Sequence, residues 1–245
     1  MRICFRDFVD VYLREIRNNT NSHFDLESLE ITCLDLFKAG AETTSTTILW
    51  VVLYLVKYQD VQEKCYQEIV RETGEARPSL AHSLPYCQAV LQEVQRLACV
   101  APQTIPHRYP LSYTVTCSYR PLRLTEQVVV DDYIIPKNSH AIANLWGFMK
   151  DPSVWSDPEE FKPERFLDGN RLIKHQQFVP FGIGRRACMG EKLARDNLII
   201  FMTTIIKNIK LETPAEHPQP DPSNFTDGFT MIPHPFYVNM KSRTQ

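Results

Sequence analysis

One short stretch of the sequence combines residue types that could do redox chemistry. Residues 181–190 read Phe-Gly-Ile-Gly-Arg-Arg-Ala-Cys-Met-Gly, so a single cysteine, Cys188, lies in a loop with three glycines. Glycine has no Cβ, so the backbone there can lie flat against a large planar molecule. The helix-like run after the loop would direct its amide N–H groups at the sulfur and favour the thiolate. A lone thiolate beneath a flat ligand suits axial ligation of haem iron. The alternative is a buried structural cysteine after a glycine-rich turn.

The spacing of this stretch, F-x-x-G-x-R-x-C-x-G, resembles the cysteine motif of the cytochrome P450 family. Members of this family are haem-thiolate monooxygenases, and the chain resembles the C-terminal half of the microsomal, class-2-like branch. The resemblance implies a mainly α fold with small β-sheets (α+β), residues 1–245 being a partial cytochrome P450 domain. It also implies that Cys188 is the axial ligand of the iron in haem b (iron protoporphyrin IX). The residues expected to bind the cofactor around it are Phe181, Gly182, Arg186, Gly190 and Ala194.

Composition excludes several other classes of protein. The 245 residues carry a net charge of −2, which gives no overall attraction to nucleic acid. Seven cysteines are an odd number without a C-x-x-C pair, which favours reduced thiols over a disulfide framework or a zinc site. The longest apolar run, Ile48 to Val56, is far shorter than the ~20 residues that a membrane helix requires. We therefore expect no transmembrane segment in this chain.

A second stretch lies in the longest helical pattern, from Asp25 to about Tyr58. Its middle holds a glycine and five hydroxyl residues between positions 39 and 47, all poor helix formers. This composition predicts a local bend or bulge. The sequence A-G-x-E-T-T at 39–44 resembles the oxygen-binding motif of the family, which implies that Glu42 and Thr43 are catalytic residues that deliver protons to dioxygen. A carboxylate and a hydroxyl can each accept and pass on a proton. The alternative is a threonine-rich surface face of a helix.

Structural residues are expected in an E-x-x-R pair, Glu93 and Arg96, on a helix that begins near Leu84-Pro85. Such pairs are common on solvated helix faces, where we expect Glu68 and Arg71 to lie. The apolar surroundings of Glu93 and Arg96 distinguish that pair. The resemblance implies that the two join Arg165 in an ion cluster that locks the haem-binding loop into the core.

The expected substrate pocket is apolar. By resemblance, its residues are Phe37, Ala39, Val100, Ile105 and Phe229. His107 would contact a haem propionate together with Arg186, although it could instead be a surface histidine in a strand. Fatty acids, steroids, terpenoids and xenobiotics all fit an apolar pocket, so the sequence leaves the substrate open.

The resemblance also implies partners and a location. Electrons would come from NADPH through NADPH-cytochrome P450 reductase, with cytochrome b5 as a further candidate donor. The acidic face of the reductase would dock near Arg185, Lys192, Arg195 and Lys207, unless these residues form an ordinary solvated face. The full-length parent would lie at the cytosolic face of the endoplasmic reticulum membrane, held by an N-terminal anchor outside this chain.

The function implied is a monooxygenase that inserts one oxygen atom of O2 into an apolar small molecule. The alternative is an inactive or non-haem-binding fragment of such an enzyme. An isomerase or dehydratase that needs no external electrons is disfavoured by Thr43, because such an enzyme has little use for a proton relay. Residues 109–123 fit no motif of the family, and we expect them to be an idle insertion, a retained intron or an error in gene prediction.

Further elements follow from the pattern of apolar residues. Val128 to Lys137 predicts a hairpin, and Ala141 to Leu145 predicts a strand. Lys192 to Lys207 predicts a helix. The residues expected on its inner face are Leu193, Ile200, Phe201, Thr204 and Ile205.

Overall fold

The structure is a computed structural model that describes residues 7–18, 24–80, 83–104, 127–139, 142–184 and 187–243. The chain divides into two compact units, Met1–Ser45 and Thr46–Gln245. In the first unit, helix α1 (Phe8–Asn18) buries Tyr12, whose ring meets the rings of Phe8 and Phe24 edge-on at 5.6 and 4.9 Å.

Helix α2 (Leu26–Lys57) has the length that the sequence predicts, at 32 residues. Asp25 caps it, because its Oδ1 accepts the amide N–H of Ser28 at 2.6 Å. Hydrogen bonds from the backbone and the side chain of Ser28 lower the pKa of Asp25. The expected bulge is not formed, since every residue of this range is α-helical. The hydroxyls of Thr43 and Ser45 instead donate to carbonyls four residues earlier, at 2.7 and 2.8 Å, without interrupting the helix.

Helix α2 is also the one described helix that is long and apolar enough, by length and composition, to cross a membrane. This differs from the expectation that the chain holds no such segment. However, 44% of the apolar window is buried within the protein, and the core helix of a soluble protein passes the same test.

The core of the second unit is built by residues 46–57 of α2 together with three helices, and the predicted helices are confirmed. These are α3 (Gln59–Thr73), α4 (Pro85–Ala98) and α6 (Glu191–Asn208), and each of them contacts the other two. Gly74 ends α3 at a positive φ of 51°, and Pro85 begins α4, as expected for these residue types. The largest fully buried side chains of this core include Trp50, Leu53, Ile69, Leu198, Met202 and Ile206.

The strands form small antiparallel pairs, four of which lie within the described residues. The predicted hairpin is confirmed as β1 (Val128–Val130) and β2 (Tyr133–Ile135), which turn at Asp131 and Asp132. The remaining pairs are β3 (Leu167–Asp168) with β4 (Arg171–Leu172), β5 (Ile209–Glu212) with β8 (Asn239–Ser242), and β6 (Phe225–Thr226) with β7 (Ile232–Pro233).

The strand predicted at Ala141–Leu145 is wrong for its described part, residues 142–145. Asn144 makes only an isolated bridge with Gln103, and a short helix, α5 (Leu145–Met149), follows at once. The side chain of Asn144 explains the change, because its Oδ1 accepts the N–H of Gly147 at 2.9 Å and so caps this helix.

The inner face predicted for α6 is also wrong in part. Its buried residues are Leu198, Met202, Thr203 and Ile206, whereas Leu193 and Phe201 are 68% and 54% exposed. Apolar residues occur on all sides of this helix, so its sequence does not specify which side packs on α3 and α4.

Candidate cofactor site around Cys188

The loop that carries Cys188 is closed by a backbone hydrogen bond. The N–H of Cys188 donates to the carbonyl of Phe181 at 2.8 Å, and the N–H of Gly182 donates to Val179 at 3.0 Å. Gly182 and Gly184 have positive φ of 72° and 76°, which explains the need for glycine there. Gly190 has an ordinary φ of −88°. A Cβ added there would lie 3.8 Å from the Cys188 sulfur, so the structure shows no steric need for that glycine.

Among the cysteines that the structure describes, Cys188 is the exposed one. Cys65, Cys87 and Cys99 are buried, and Cys33 is half-buried. Burial raises the pKa of the Cys99 thiol to about 12, and it raises that of Cys87 well above its usual value. The structure therefore does not support the alternative of a buried structural cysteine at position 188. Cys4 and Cys117 lie outside the described residues.

The surroundings of Cys188 in the sequence fit a large apolar group that carries a metal. Ile183, Met189 and Leu193 are 74%, 87% and 68% exposed, although each is apolar. An exposed thiol in a segment with uncovered apolar side chains offers a donor atom and a surface of the kind that haem requires. Phe181 and Ala194 are half-buried in the same region, while Arg186 and His107 lie outside the described residues.

The predicted ion cluster comes together in the structure. Glu93 Oε2 accepts Arg96 Nε at 2.8 Å, and Glu93 Oε1 accepts Arg96 Nη2 and Arg165 Nε, both at 2.9 Å. The side chains of Glu93 and Arg96 are 0% exposed and that of Arg165 is 9% exposed. Oε1 also accepts the N–H of Lys162 at 3.0 Å, so the carboxylate is fully engaged.

Both arginines extend the cluster to backbone carbonyls. Arg96 Nη1 donates to Met149 and Pro158 at 3.0 and 2.8 Å, and Arg165 Nη1 donates to Ser156 at 3.0 Å. Segment 149–160 has little regular structure. The bonds of Arg96 attach it directly to helix α4, and the bond of Arg165 attaches it through Glu93.

A row of aromatic rings leads from this cluster toward the cysteine loop. The Arg96 guanidinium lies over Trp155 at 5.2 Å, Trp155 contacts Phe166 at 5.8 Å, and Phe166 meets Phe178 edge-on at 5.0 Å. Phe178 lies three residues before Phe181. Packing therefore connects the cluster to the start of the loop.

The predicted proton-delivery residues lie in the first unit. Glu42 is exposed and Thr43 is half-buried, and the Thr43 hydroxyl donates to the Ala39 carbonyl at 2.7 Å. Phe37, expected in the substrate pocket, is 74% exposed, and Ala39 is exposed as well.

In the second unit, the structure brings together the segments that carry Val100 and Phe229. The N–H of Met231 donates to the Val100 carbonyl at 2.9 Å, and Trp50 Nε1 donates to the Met231 carbonyl at 2.8 Å. Phe229 remains 53% exposed. Ile105 lies outside the described residues.

Sequence reasoning missed an open groove of about 520 Å³ beside these two segments. Its walls combine apolar and aromatic side chains with two side-chain amides and one carboxylate. The lining residues are Pro102, Gln103, Asn144, Trp146, Phe225, Asp227, Gly228 and Met231.

The basic patch expected to receive a reductase is largely engaged within the chain. Lys207 is not part of such a patch, because its ammonium donates to Thr73 Oγ1, the Gly74 carbonyl and the Ala76 carbonyl at 2.9, 2.7 and 2.5 Å. It therefore satisfies the C-terminal end of α3. Lys192 pairs with Asp196 at 2.7 Å and Arg195 pairs with Glu191 at 2.9 Å, while Arg185 lies outside the described residues.

Glu68 was expected on a solvated face, and this prediction is wrong. Its side chain is buried, and its carboxylate accepts the N–H groups of Tyr86 and Cys87 at 2.9 and 2.8 Å. It thus caps the N-terminus of α4 from another helix. Arg71 pairs instead with Glu72 at 3.0 Å.

Comparisons with known proteins identify the family of this chain. The profile of the family Cytochrome P450 matches residues 3–240. Human cytochrome P450 2U1 is 39% identical over 97% of this chain and 42% of its own length, and human cytochrome P450 2J2 is 38% identical over 85% of this chain and 40% of its own. A solved structure of a zebrafish cytochrome P450 with abiraterone gives a TM-score of 0.84 at 30% identity, covering 99% of this chain and 56% of that one.

The chain spans about two fifths of the length of the curated relatives that it matches. The matched family and the fold, mainly α with small β-sheets, are those that the cysteine motif predicts. The chain belongs to the cytochrome P450 family, and the names of these relatives, 2U1 and 2J2, agree with the class-2-like resemblance of its sequence.

Proposed function

We propose that this chain carries the haem-ligating part of a monooxygenase that inserts one oxygen atom of O2 into an apolar small molecule. The observation that carries the proposal is the exposed Cys188, which lies in a glycine-containing loop immediately before α6. When bound, haem b would supply the iron at which dioxygen is reduced, and a thiolate ligand favours cleavage of the O–O bond.

The residues of the cysteine loop would hold the cofactor. Cys188 would supply the thiolate, and Phe181, Gly182, Arg186, Gly190 and Ala194 would surround it. The hydrogen bond from the Cys188 N–H to the Phe181 carbonyl, at 2.8 Å, would hold the backbone that carries the sulfur. His107 would bind a carboxylate of the cofactor together with Arg186.

Protons would be moved by Glu42 and Thr43 on α2. The Thr43 hydroxyl donates a hydrogen bond to the Ala39 carbonyl at 2.7 Å, and a hydroxyl is a group that can both accept and donate. The side chain of Glu42, one residue earlier, is a carboxyl group that can accept a proton and pass it on. Together they form a relay that a threonine-rich surface face would not need.

Electrons would come one at a time from NADPH through NADPH-cytochrome P450 reductase, with cytochrome b5 as a further donor. Such partners belong to the full-length protein, at the cytosolic face of the endoplasmic reticulum membrane. Of the four basic residues expected at the docking face, Arg185, Lys192 and Arg195 remain candidates after the exclusion of Lys207.

The substrate would be an apolar molecule with some polar groups. Val100 and Phe229 supply apolar surface, and the adjoining groove adds Trp146 together with amides and the carboxylate of Asp227. Steroids, fatty acids, terpenoids and xenobiotics remain the candidate classes.

The test is the carbon monoxide spectrum of the reduced, haem-loaded protein. The wild-type protein should give the Soret band of thiolate ligation, and Cys188→Ser should abolish it. Cys65→Ser serves as the control and should retain the band, because this thiol is buried in the core that α3, α4 and α6 build. A thiolate-type band in Cys188→Ser would exclude Cys188 as the ligand.

The second candidate function is a fragment that does not bind haem. It rests on the same exposed residues, Ile183, Met189 and Leu193, which would stay partly in water if the bound cofactor did not cover them. An apolar macrocycle left partly in water loses much of the ~25 cal/mol per Å² that burial contributes. Gel filtration of the 245-residue chain with haem separates the two: stoichiometric retention favours the enzyme, and release of haem favours the fragment.

A further inference from the structure

Arg195 on α6 lies against both aromatic residues that lead into the cysteine loop. Its guanidinium carbon is 4.9 Å from the ring centroid of Phe181 and 5.8 Å from that of Phe178. Its Nε donates to Glu191 Oε1 at 2.9 Å, one helical turn earlier. The guanidinium is therefore held by one carboxylate and two rings, a planar arrangement that a lysine ammonium does not reproduce.

Phe181 links this arrangement to the sulfur. The ring of Phe181 contacts Arg195, and the carbonyl of the same residue accepts the N–H of Cys188 at 2.8 Å. Phe178 is anchored on the other side, because its ring meets that of the fully buried Phe166 at 5.0 Å. Phe181 itself is only half-buried. Its contact with Arg195 thus connects the loop to a rigid helix.

We infer that Arg195 is a positioning residue for Cys188: by stacking on Phe181 and Phe178 it holds the carbonyl that fixes the Cys188 backbone. The inference rests on the proposed function, in which Cys188 is the iron ligand. It adds a residue outside the F-x-x-G-x-R-x-C-x-G motif to the set that orients the thiolate.

Lys192 offers a matched comparison on the same helix. It is also a cation paired four residues away with a carboxylate, Asp196, at 2.7 Å. Its side chain is 88% exposed, so it lies on the solvent side. If charge near the start of α6 were what matters, the two residues would behave alike.

The first experiment needs no haem and measures amide hydrogen exchange in the intact chain. Arg195→Gln should speed exchange of the Cys188 N–H about tenfold, because the stacking that supports its acceptor is lost. Exchange at Met202, buried in the middle of α6, should change less than about twofold. Lys192→Gln should change neither amide. Arg195→Lys should be intermediate, because the ion pair with Glu191 is retained and the planar stacking is lost.

The inference is overturned if the Cys188 amide exchanges at the wild-type rate in Arg195→Gln. Equal effects of Arg195→Gln and Lys192→Gln also overturn it, and so does an equal acceleration at Met202, which would indicate general loosening of the helix. Should Arg195→Gln fail to fold, Arg195→Lys decides the question, and unchanged exchange at Cys188 in that variant contradicts the inference.

A second experiment uses the haem-loaded protein. The share of the carbon monoxide complex with thiolate ligation should fall in Arg195→Gln, recover in part in Arg195→Lys and stay unchanged in Lys192→Gln; an unchanged share in Arg195→Gln overturns the inference. A thiolate band that survives Cys188→Ser would refute the proposed function, and hydrogen exchange would then still decide the role of Arg195.

Discussion

The carboxylate of Glu93 holds Arg165 Nε at 2.9 Å across 72 residues of sequence. This bond, together with those from Arg96 to the carbonyls of Met149 and Pro158, fastens the segment from Met149 to Arg165 to helix α4. From Arg96, contacts pass through Trp155, Phe166 and Phe178 to the start of the cysteine loop. The buried ion cluster therefore helps to hold the cysteine loop in place. The sequence motif around Cys188 determines the local shape of that loop.

Thiol labelling should single out Cys188. In the native chain, iodoacetamide should alkylate Cys188 at least about tenfold faster than Cys65, Cys87 or Cys99, because Cys188 is exposed and the other three thiols are buried away from the reagent. Since the pKa of Cys99 is raised to about 12, this residue should stay a thiol, and unreactive, between pH 7 and pH 9.

Peptide mapping by mass spectrometry measures the rates. Labelling in urea is the control, because unfolding should bring the four rates close together. Rapid labelling of Cys99 in the native chain at pH 8 would contradict the burial of that side chain.

The proton relay is testable through coupling efficiency in the haem-loaded, full-length protein. Thr43→Ala should still bind haem and consume NADPH, but a larger share of the electrons should leave as hydrogen peroxide and a smaller share as hydroxylated product. Ser45→Ala is the matched control, since its hydroxyl also donates to a carbonyl four residues earlier, at 2.8 Å. Equal coupling in Thr43→Ala and wild type would remove Thr43 from the relay.

Glu68 should contribute to stability although it lies in an ordinary E-x-x-R pattern. Glu68→Gln should lower the free energy of unfolding by about 1–2 kcal/mol, because a buried carboxylate that accepts two N–H groups of α4 loses its charge. Arg71→Ala, which removes an exposed partner of the same pattern, should change it by less than about 0.5 kcal/mol. Urea unfolding measures both values, and similar values for the two variants would contradict the capping role.

Much of the fold could be predicted from local patterns. The bounds of α2, α3 and α4 follow from Asp25, Gly74 and Pro85, because each of these residues acts through nearby backbone groups. The apolar surroundings of Glu93 likewise predict burial, and its side chain is 0% exposed.

The predictions that failed concern residues whose roles depend on contacts between distant segments of the chain. Glu68 and Glu93 share one local pattern, yet the acceptor role of Glu68 toward Tyr86 requires the packing of α3 on α4. Lys207 resembles any surface lysine until the end of α3 is placed beside it. In α6, apolar residues on every side conceal which face packs inward. None of these three features could therefore be read from the local sequence.

Residues 109–123 lie outside the described residues, and their status stays a prediction. Because a longer flexible loop adds only roughly 0.8 kcal/mol to the free-energy cost of loop closure, the segment can be tolerated without a function. Deletion of residues 109–123 from a full-length protein should leave haem binding and turnover unchanged. Loss of turnover would show that the segment has a role, and transcripts that uniformly encode it would exclude an artefact.

The ion cluster gives the largest expected effect on stability. Glu93→Gln removes the charge between two arginines whose side chains are 0% and 9% exposed. Uncompensated buried charge is expensive, so the free energy of unfolding should fall by about 3–5 kcal/mol. Urea unfolding followed by circular dichroism measures this loss.

Glu164→Gln is the matched control, because Glu164 pairs with Lys64 at 3.6 Å on the surface, with both side chains more than half exposed. That variant should lose less than about 1 kcal/mol. The Glu93 variant should in addition release haem more readily than the Glu164 variant, since the aromatic row from Arg96 ends at the cysteine loop. Equal stability and equal haem retention in the two variants would contradict the role of the cluster in holding that loop.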